Sequence, residues 1–474
     1  MDKGGFGLKA TLVLRPGLFV STLLSLAACG DFQREASPPN IVIILADDLG
    51  IGDLGCYNPA SKVPTPHMDR LAREGIRFTD AHSPSAVCTP TRYGLLTGRY
   101  CWRSSLKRGV LNGYGRPLIE ANRPTFASFL KSHGYHTGIV GKWHLGHGGP
   151  ATHPNSRGFE HFMGFLTGSV DHLAHVSRDG GYDWQRNRAS IRQAGHSSAL
   201  IAREAIGWVE GLDPDQPFFL VVSFHAPHRP LQATAETIQT WGTIEDPERR
   251  TFLAMVQELD TATGKIIRAL EEAGAWEKTL ALYLSDNGAA REWGGDNGNL
   301  RGGKASTFEG GLRVPAVVRW PGIVSPGSNF SGPVSLMDLA ATLLAAGGAA
   351  PDPEADGGDL RSHWEEGAPL PDRPLVFTAC SPAALNYAFI QWPWKLVRRS
   401  LRKGGNTRQL LFHLERDPGE ERNQASSRPD LVEDLSRDLD AWLERKGAVP
   451  ECADEQPPPG WAPPVDWAQP PAMD

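Results

Sequence analysis

The feature that most restricts the fold is a repeated arrangement in which an apolar, β-branched run stops abruptly in polar residues. Ile41–Leu45 in "NIVIILADDLG" runs into two aspartates and a glycine. "HTGIVG" runs into "KWHLG", Phe218–Phe224 of "PFFLVVSFHAPH" into a histidine loop, and Leu280–Leu284 of "KTLALYLSDNG" into an acid, an amide and a glycine. Runs that are apolar throughout, rather than alternating, are strands buried on both faces of a sheet. Between them lie segments with helical spacing. Met68, Leu71 and Ile76 mark "HMDRLAREGIRF", with Gly75 as a stop. "TFASFLKSHG" closes at Gly134, and "RTFLAMVQELDTATGKIIRALEEAG" reads as a long amphipathic helix. The alternation predicts an α/β domain over residues 39–360, a large mixed, mostly parallel sheet sandwiched between helices. Such folds take their ligands in the loops at the carboxyl ends of the strands.

The pattern changes after "PDPEADGGD", Pro351–Asp359. Short strand signals in "ALNYAFIQ" and "WKLVRRS", then the amphipathic "DLVEDLSRDLDAWLERKG", predict a smaller α+β subdomain over 370–450: an antiparallel sheet with a packed helix. Residues 451–474 form a Pro-rich tail, expected to be extended or mobile chain rather than core. At the other end, Lys3, Lys9 and Arg15 precede "LFVSTLLSLAA", an apolar stretch too short to span a bilayer, and "LAAC" follows. That ending resembles the bacterial lipobox. Residues 1–29 are therefore expected to be a lipoprotein signal and 30–38 a tether. The protein would be exported to the bacterial periplasm or cell envelope and lipid-anchored at Cys29. A formal net charge of −6 gives no support for a nucleic-acid partner. With Cys29 set aside, Cys56, Cys88, Cys101, Cys380 and Cys452 make an odd count, so at least one is unpaired or modified. No CxxC pair is present, which argues against structural zinc.

The loops carry the chemistry. Asp47 and Asp48 are adjacent carboxylates that repel unless a cation lies between them. Alone they could be a helix cap, and "SDNG" alone a turn. Together, Asp47, Asp48, Asp286 and Asn287 make an all-oxygen, net-negative set suited to calcium or magnesium. A second set is basic: Lys142 and His144 in "GKWHLG", His228 in "FHAPHRPLQ", and Lys304 in "LRGGKASTFEGGLRVP". Each sits beside a glycine or proline turn, and together they describe a pocket for an anionic tetrahedral group.

"CTPTR", Cys88–Arg92, resembles the sulfatase signature Cys-x-Pro-x-Arg, and "LLTGR", Leu95–Arg99, its downstream half. "GYHTGIVGKWHLG" resembles the second sulfatase signature. The "DD", "SDNG", "LRGGK" and "EGGLRVP" segments follow in family order between about Pro39 and Lys446. By these motifs the chain resembles the type I, Cys-type sulfatases of the alkaline phosphatase superfamily. The resemblance implies that Cys88 is oxidised to Cα-formylglycine by a formylglycine-generating enzyme before folding. Its gem-diol would attack sulfur in line, and His144 would deprotonate the second hydroxyl to release sulfate. His228 and Lys304 would hold the sulfate and protonate the leaving oxygen, with Lys142 and Arg92 orienting the diol. One calcium ion, or else magnesium, would be bound by Asp47, Asp48, Asp286, Asn287 and residue 88. The implied substrates are sulfate monoesters of carbohydrates such as glycosaminoglycan fragments. "GFLTGSVDHLAH" resembles a loop of N-acetylgalactosamine-4-sulfatases and related arylsulfatases, so Asp171, His172 and His175 are expected to reach a sugar. Trp293, Trp392, Trp394 and the "GYDWQRN" segment could supply a stacking platform. Two other readings stand beside this one. A phosphomonoester or diester hydrolase of the same superfamily would use Ser or Thr and commonly two zinc ions. A lipoprotein with Cys88 unmodified would bind sulfated glycans without turning them over.

Overall fold

The first apolar run, Asn40–Ala46, lies inside a ten-stranded sheet of the computed structural model. Strand order across the sheet is Ser328–Phe330, Ile76–Phe78, Ala316–Arg319, Thr279–Ser285, Asn40–Ala46, Phe218–Ser223, His136–Lys142, His161–Phe165, Gln185–Arg186, Ala189–Ser190. The five strands from Thr279–Ser285 to His161–Phe165 run parallel, with Ile43 opposite both Val221 and Leu282. Ala316–Arg319 pairs antiparallel with both neighbours, and Gln185–Arg186 does the same near the other edge. The structure describes residues 38–445 except 148, 351, 367, 371, 381–383 and 402–405, together with 457–469 and Gly7. The export signal, the lipobox with Cys29, most of the tether, and Cys452 lie outside the described residues.

The uninterrupted apolar runs are explained by helices on both faces. Ile41, Ile43 and Leu45 join one core with Leu95, Leu96 and Leu343. Val42, Ile44 and Ala46 join the other with Leu253, Val256 and Leu259 of the Pro247–Glu272 helix. Burying one such side chain contributes about 1.5–3 kcal/mol, so a strand apolar on both sides is held in register from both layers. The Pro247–Glu272 helix begins where Asp246 accepts from the Glu248 N–H at 2.9 Å, with Pro247 in the first turn.

The smaller sheet is antiparallel, in the order Leu375–Cys380, Ala384–Gln391, Trp394–Leu401, Thr407–His413. Val432, Leu435 and Leu439 of the Pro429–Arg445 helix pack on Leu396 and Leu411, and also on Tyr100, Trp102 and Met337 of the larger layer. The two sheets therefore share core, and Pro38–Asp474 is one compact unit. The Pro-rich tail differs from its sequence reading in one respect. Residues 457–469 form no helix or ladder strand, yet Trp467 is only 2% exposed. Prolines remove backbone donors, but they do not prevent an aromatic anchor from burying. Among the described residues, no helix is long and apolar enough to cross a membrane.

Candidate active site

The parallel topology brings the polar strand ends together. Asp47 and Asp48 follow the first strand, Lys142 ends its own, His225 and His228 follow Phe218–Ser223, and Asp286 and Asn287 follow Thr279–Ser285. Cys88 joins them as the first residue of the Cys88–Thr97 helix, where N–H groups and the helix dipole favour negative charge. Its thiol is free and buried, and burial is the main reason its pKa is raised. Atoms of Asp47, Cys88 and Asp286 lie within 4.8 Å of one another.

One turn after Cys88, Arg92 donates to Asp286 Oδ2 from Nε (3.1 Å) and Nη2 (2.8 Å). Its Nη1 donates to Ser223 Oγ (2.5 Å) and the Lys142 carbonyl (3.3 Å). Lys142 Nζ sits 2.5 Å from Asp47 Oδ2, and Lys304 Nζ 2.7 Å from Asp48 Oδ2. Asn287 Nδ2 donates to Asp48 Oδ1 at 2.7 Å. Burial pushes the Asp47 carboxyl up, but Lys142 and then His228, Arg92 and Lys304 outweigh it, leaving the pKa well below the usual range. Asp286 goes the other way: burial, then the Asp47 charge, raises it to about 7. Burial works against the Lys304 charge, yet Asp48 and the other nearby acidic groups together outweigh burial and keep the lysine cationic.

The donor set fits a divalent cation. Asp47 Oδ1 and Asn287 Oδ1 are buried with no hydrogen-bond partner. Each such orphan costs about 1–3 kcal/mol unless something satisfies it. Hard oxygens that are buried, orphaned and crowded with like charge match calcium or magnesium better than zinc. Backbone strain gathers here as well. Asp48 and His144 have φ of 67° and 57°, and Ala305, next to Lys304, has 65°.

Both histidines are neutral, and their tautomers can be assigned. His144 Nε2 lies 3.0 Å from the Leu111 carbonyl, which can only accept, so the proton is on Nε2 and the partnerless Nδ1 keeps its lone pair. Burial, then Lys142 and Arg92, holds its pKa well below the usual value. His228 Nδ1 donates to the Arg229 carbonyl at 2.7 Å, which leaves Nε2 as the acceptor, 3.7 Å from Asp48 Oδ2. Burial and Lys304 pull His228 down to about 4. Cys88, His144, His228 and Lys304 open onto one cleft of about 1040 Å³, while Arg92 and Lys142 lie beneath its floor. The walls are largely apolar, with Val110, Val170, Leu231 and Trp293 among them.

The expected sugar contacts need correction. Asp171 does line the cleft, but its Oδ1 accepts from the Leu173 and Ala174 N–H groups and its Oδ2 from Gln232. His172 does not reach the cleft. It is fully buried, bonded to Ser197 Oγ (2.6 Å) and the His228 carbonyl (3.1 Å), and stacked between His196 and His225 at 4.7 and 4.3 Å. His175 is buried on the Trp184 ring at 4.3 Å. His172 has both ring edges engaged, His175 is buried against Trp184, and neither lines the cleft, which removes these two from substrate contact. Of the tryptophans, Trp293 alone lines the cleft; Trp184 is core, and Trp392 and Trp394 belong to the small sheet. Sequence reading missed Ser223, which ties Arg92 to Lys142. It also missed His225, whose ring is buried with neither nitrogen partnered. The three-residue spacing of His225 and His228 was the available signal.

A family model described as Sulfatase matches residues 39–349, about two thirds of the chain. The chain belongs to the sulfatase family. This sulfatase is 33% identical to human arylsulfatase A, over 88% of the chain and 89% of the relative. It is 30% identical to the N-acetylgalactosamine-6-O-sulfatase of Bacteroides thetaiotaomicron, over 91% and 98%. Among solved structures, Ps i-CgsB in complex with k-i-k-neocarrahexaose superposes with a TM-score of 0.79 at 30% identity, covering 87% of this chain and 95% of that one. The sulfatase is accordingly a sulfuric ester hydrolase, and its sheet, helical layers and small antiparallel sheet are those of its structural neighbours.

Proposed function

We propose that this sulfatase hydrolyses sulfate monoesters of sulfated carbohydrates, with residue 88 as a formylglycine and one calcium ion held by Asp47, Asp48, Asp286 and Asn287. The observation that carries the reading is the position of Cys88. It sits on the cleft floor at a helix N-terminus, with Asp47 and Asp286 within 4.8 Å and the signature Arg92 bound to Asp286. Relatives named as N-acetylgalactosamine-6-sulfatases, and a neighbour solved in complex with k-i-k-neocarrahexaose, favour a sugar as the alcohol.

A hydrated formylglycine supplies two hydroxyls where the thiol offers a single sulfur, and a divalent cation would lower a hydroxyl's pKa and attract sulfate oxygens. The chain's own residues supply the rest. Arg92 and Lys142 keep Asp286 and Asp47 aimed from below, and Lys142 above all holds Asp47 ionised. Lys304 presents a fixed positive charge to the cleft and is its available acid. His144 can take up a proton at Nδ1. His228 lines the cleft with its Nδ1 proton engaged by the Arg229 carbonyl, so it holds a sulfate oxygen or protonates the leaving oxygen only when Nε2 carries a proton. Export and a lipid anchor at Cys29 belong to the same proposal and rest on the N-terminal sequence alone.

The test is a peptide mass spectrum across residue 88 of protein co-produced with a formylglycine-generating enzyme, followed by desulfation of a panel of sulfated sugars. Loss of sulfur at residue 88 together with release of sulfate is expected. A full thiol in active protein would sink the formylglycine reading, and stoichiometric zinc without calcium would sink the metal assignment.

A further inference from the structure

One wall of the cleft is the loop 169–183, and nothing in the reaction uses it. Its turns are closed by backbone bonds from Asp171 N–H to the Val176 carbonyl, from Arg178 N–H to the Ser169 carbonyl, and from Ser177 N–H to the Gly181 carbonyl. Its base is fixed where Asp183 accepts from the Leu166 and Thr167 N–H groups at 2.8–3.0 Å. The far end is fixed by the tail. Tyr182 N–H donates to the Val465 carbonyl and Trp467 N–H to the Tyr182 carbonyl, both at 2.9 Å. Trp467 Nε1 donates to the Gly180 carbonyl at 2.8 Å, and Asp466 Oδ2 accepts from Ser190 Oγ at 2.5 Å. Contact is close enough that a Cβ on Gly181 would lie 1.9 Å from the Pro464 carbonyl oxygen. The Trp467 ring also packs edge-on against His147 at 4.9 Å and beside Gly113, so it wedges between the loop and the segments that carry those two residues.

The wall so held is apolar where it should be polar. Among the described residues, the large hydrophobic side chains left exposed are Leu173 (53%), Val176 (42%) and Val465 (90%), all on this loop or its strap. Val176 and Arg178 line the same cleft as Cys88, and the Arg178 side chain is 57% exposed with only a 3.9 Å approach to Asp179. Exposed apolar groups beside a loosely held guanidinium suit the faces and anionic substituents of pyranose rings.

We propose that loop 169–183 binds the sugar residues flanking the sulfated one, and that Trp467 is a positioning residue that holds this wall in place through the tail. This rests on the carbohydrate reading above and adds chain length as a specificity. The experiment compares 4-nitrophenyl sulfate, a sulfated disaccharide and the corresponding hexasaccharide on the full chain, with hydrogen exchange of residues 169–183 measured alongside. Trp467→Ala should raise KM for the hexasaccharide about tenfold, leave the aryl sulfate within about twofold, and increase exchange in the loop. Trp467→Phe should recover most of both. Arg178→Ala should raise KM for the hexasaccharide with exchange unchanged, which tests the wall even if Trp467→Ala folds poorly. Equal losses on aryl and hexasaccharide substrates, or a Trp467→Ala variant matching the parent in KM and exchange, would overturn the proposal. Failure of the carbohydrate reading would show instead in the parent enzyme, as turnover of the aryl sulfate and of no glycan.

Discussion

Replacing Lys395 by methionine removes the cation at the centre of a buried network joining the small sheet to the catalytic layer. Lys395 Nζ lies 2.8 Å from Glu309 Oε1 and 2.8 Å from Glu420 Oε1, and all three side chains are fully buried. Glu309 has further partners in His82 (3.0 Å) and Arg313 (2.7 Å), so it keeps its charge compensated. Glu420 has less: its Oε2 accepts the Glu309 N–H at 2.7 Å, but its Oε1 is left with nothing. Stranding one partner of a buried pair costs about 3–5 kcal/mol, and with Glu309 still paired the loss should fall near 3. At about 2 °C per kcal/mol for a chain of this size, Lys395→Met should lower Tm by about 6 °C in scanning calorimetry. Its pH dependence has a definite sign. Burial raises the Glu420 pKa even with Lys395 opposing it. A carboxyl whose folded pKa is raised is most favourable below its unfolded value, about 4.3, and loses that stability as pH rises through the folded value. The Tm deficit of Lys395→Met should therefore shrink as pH falls from 7 toward 5, and Glu420→Gln in the same chain should restore about half of it. Because Glu309 opens the segment whose Gly310 and Gly311 bond to Arg301 and Gly288, activity should fall with stability. A Tm within about 1 °C of the parent, or a deficit indifferent to both pH and Glu420→Gln, would refute the reasoning.

Asp286→Asn should cut bound calcium measured by elemental analysis, and the stabilisation from adding calcium, about 2.7 kcal/mol at one hundred times Kd in the parent and read as a rise in Tm, should largely vanish. His144→Ala should release about one equivalent of alcohol per formylglycine and then stall, because the proton acceptor at Nδ1 is gone while Lys304 and Arg92 remain; no burst would move the base role elsewhere. Lys304→Ala should slow sugar sulfates more than 4-nitrophenyl sulfate, by a factor of about 10²–10⁴ in kcat/KM, since nitrophenolate leaves without an acid. Equal losses on the two substrates would show that Lys304 binds sulfate without donating.

How far the sequence carried each part depended on whether one residue type had one use. Ile41–Leu45 and Phe218–Phe224 could be placed because a run apolar on both faces has few homes other than a covered parallel strand. Asp47, Asp48, Asp286 and Asn287 could be grouped because strand ends converge in such a sheet, so residues far apart in sequence were expected together. Histidine is ambiguous. His144 and His172 look alike in their loops, and only the structure shows a free Nδ1 on one and two occupied edges on the other. Lys395 and Glu309 are separated by 86 residues and neither sits in a periodic pattern, so their pairing left no local trace. Trp467 was concealed by its prolines, which signal irregular backbone and say nothing about where an aromatic ring goes.

Charge balance links the metal, the modification and the anion. Asp47, Asp48 and Asp286 face Arg92, Lys142 and Lys304, three charges against three, so the protein groups alone give an anionic ester little net attraction. The balance is also uneasy, since burial and Asp47 raise Asp286 to about 7 and favour its protonation near neutral pH. A divalent cation beside Asp47 Oδ1 and Asn287 Oδ1 would satisfy both orphans, keep Asp286 ionised and turn the cluster into a net cationic receptor. Cys88 completes the reasoning. As a thiol it is pushed by burial toward the neutral form, and it offers sulfur where the other donors are hard oxygens. Two oxygens at the same position would complete the ligand set and provide a nucleophile at once. On the proposed reading the modification and the metal would answer one electrostatic requirement, and removing either should weaken sulfate binding as well as turnover.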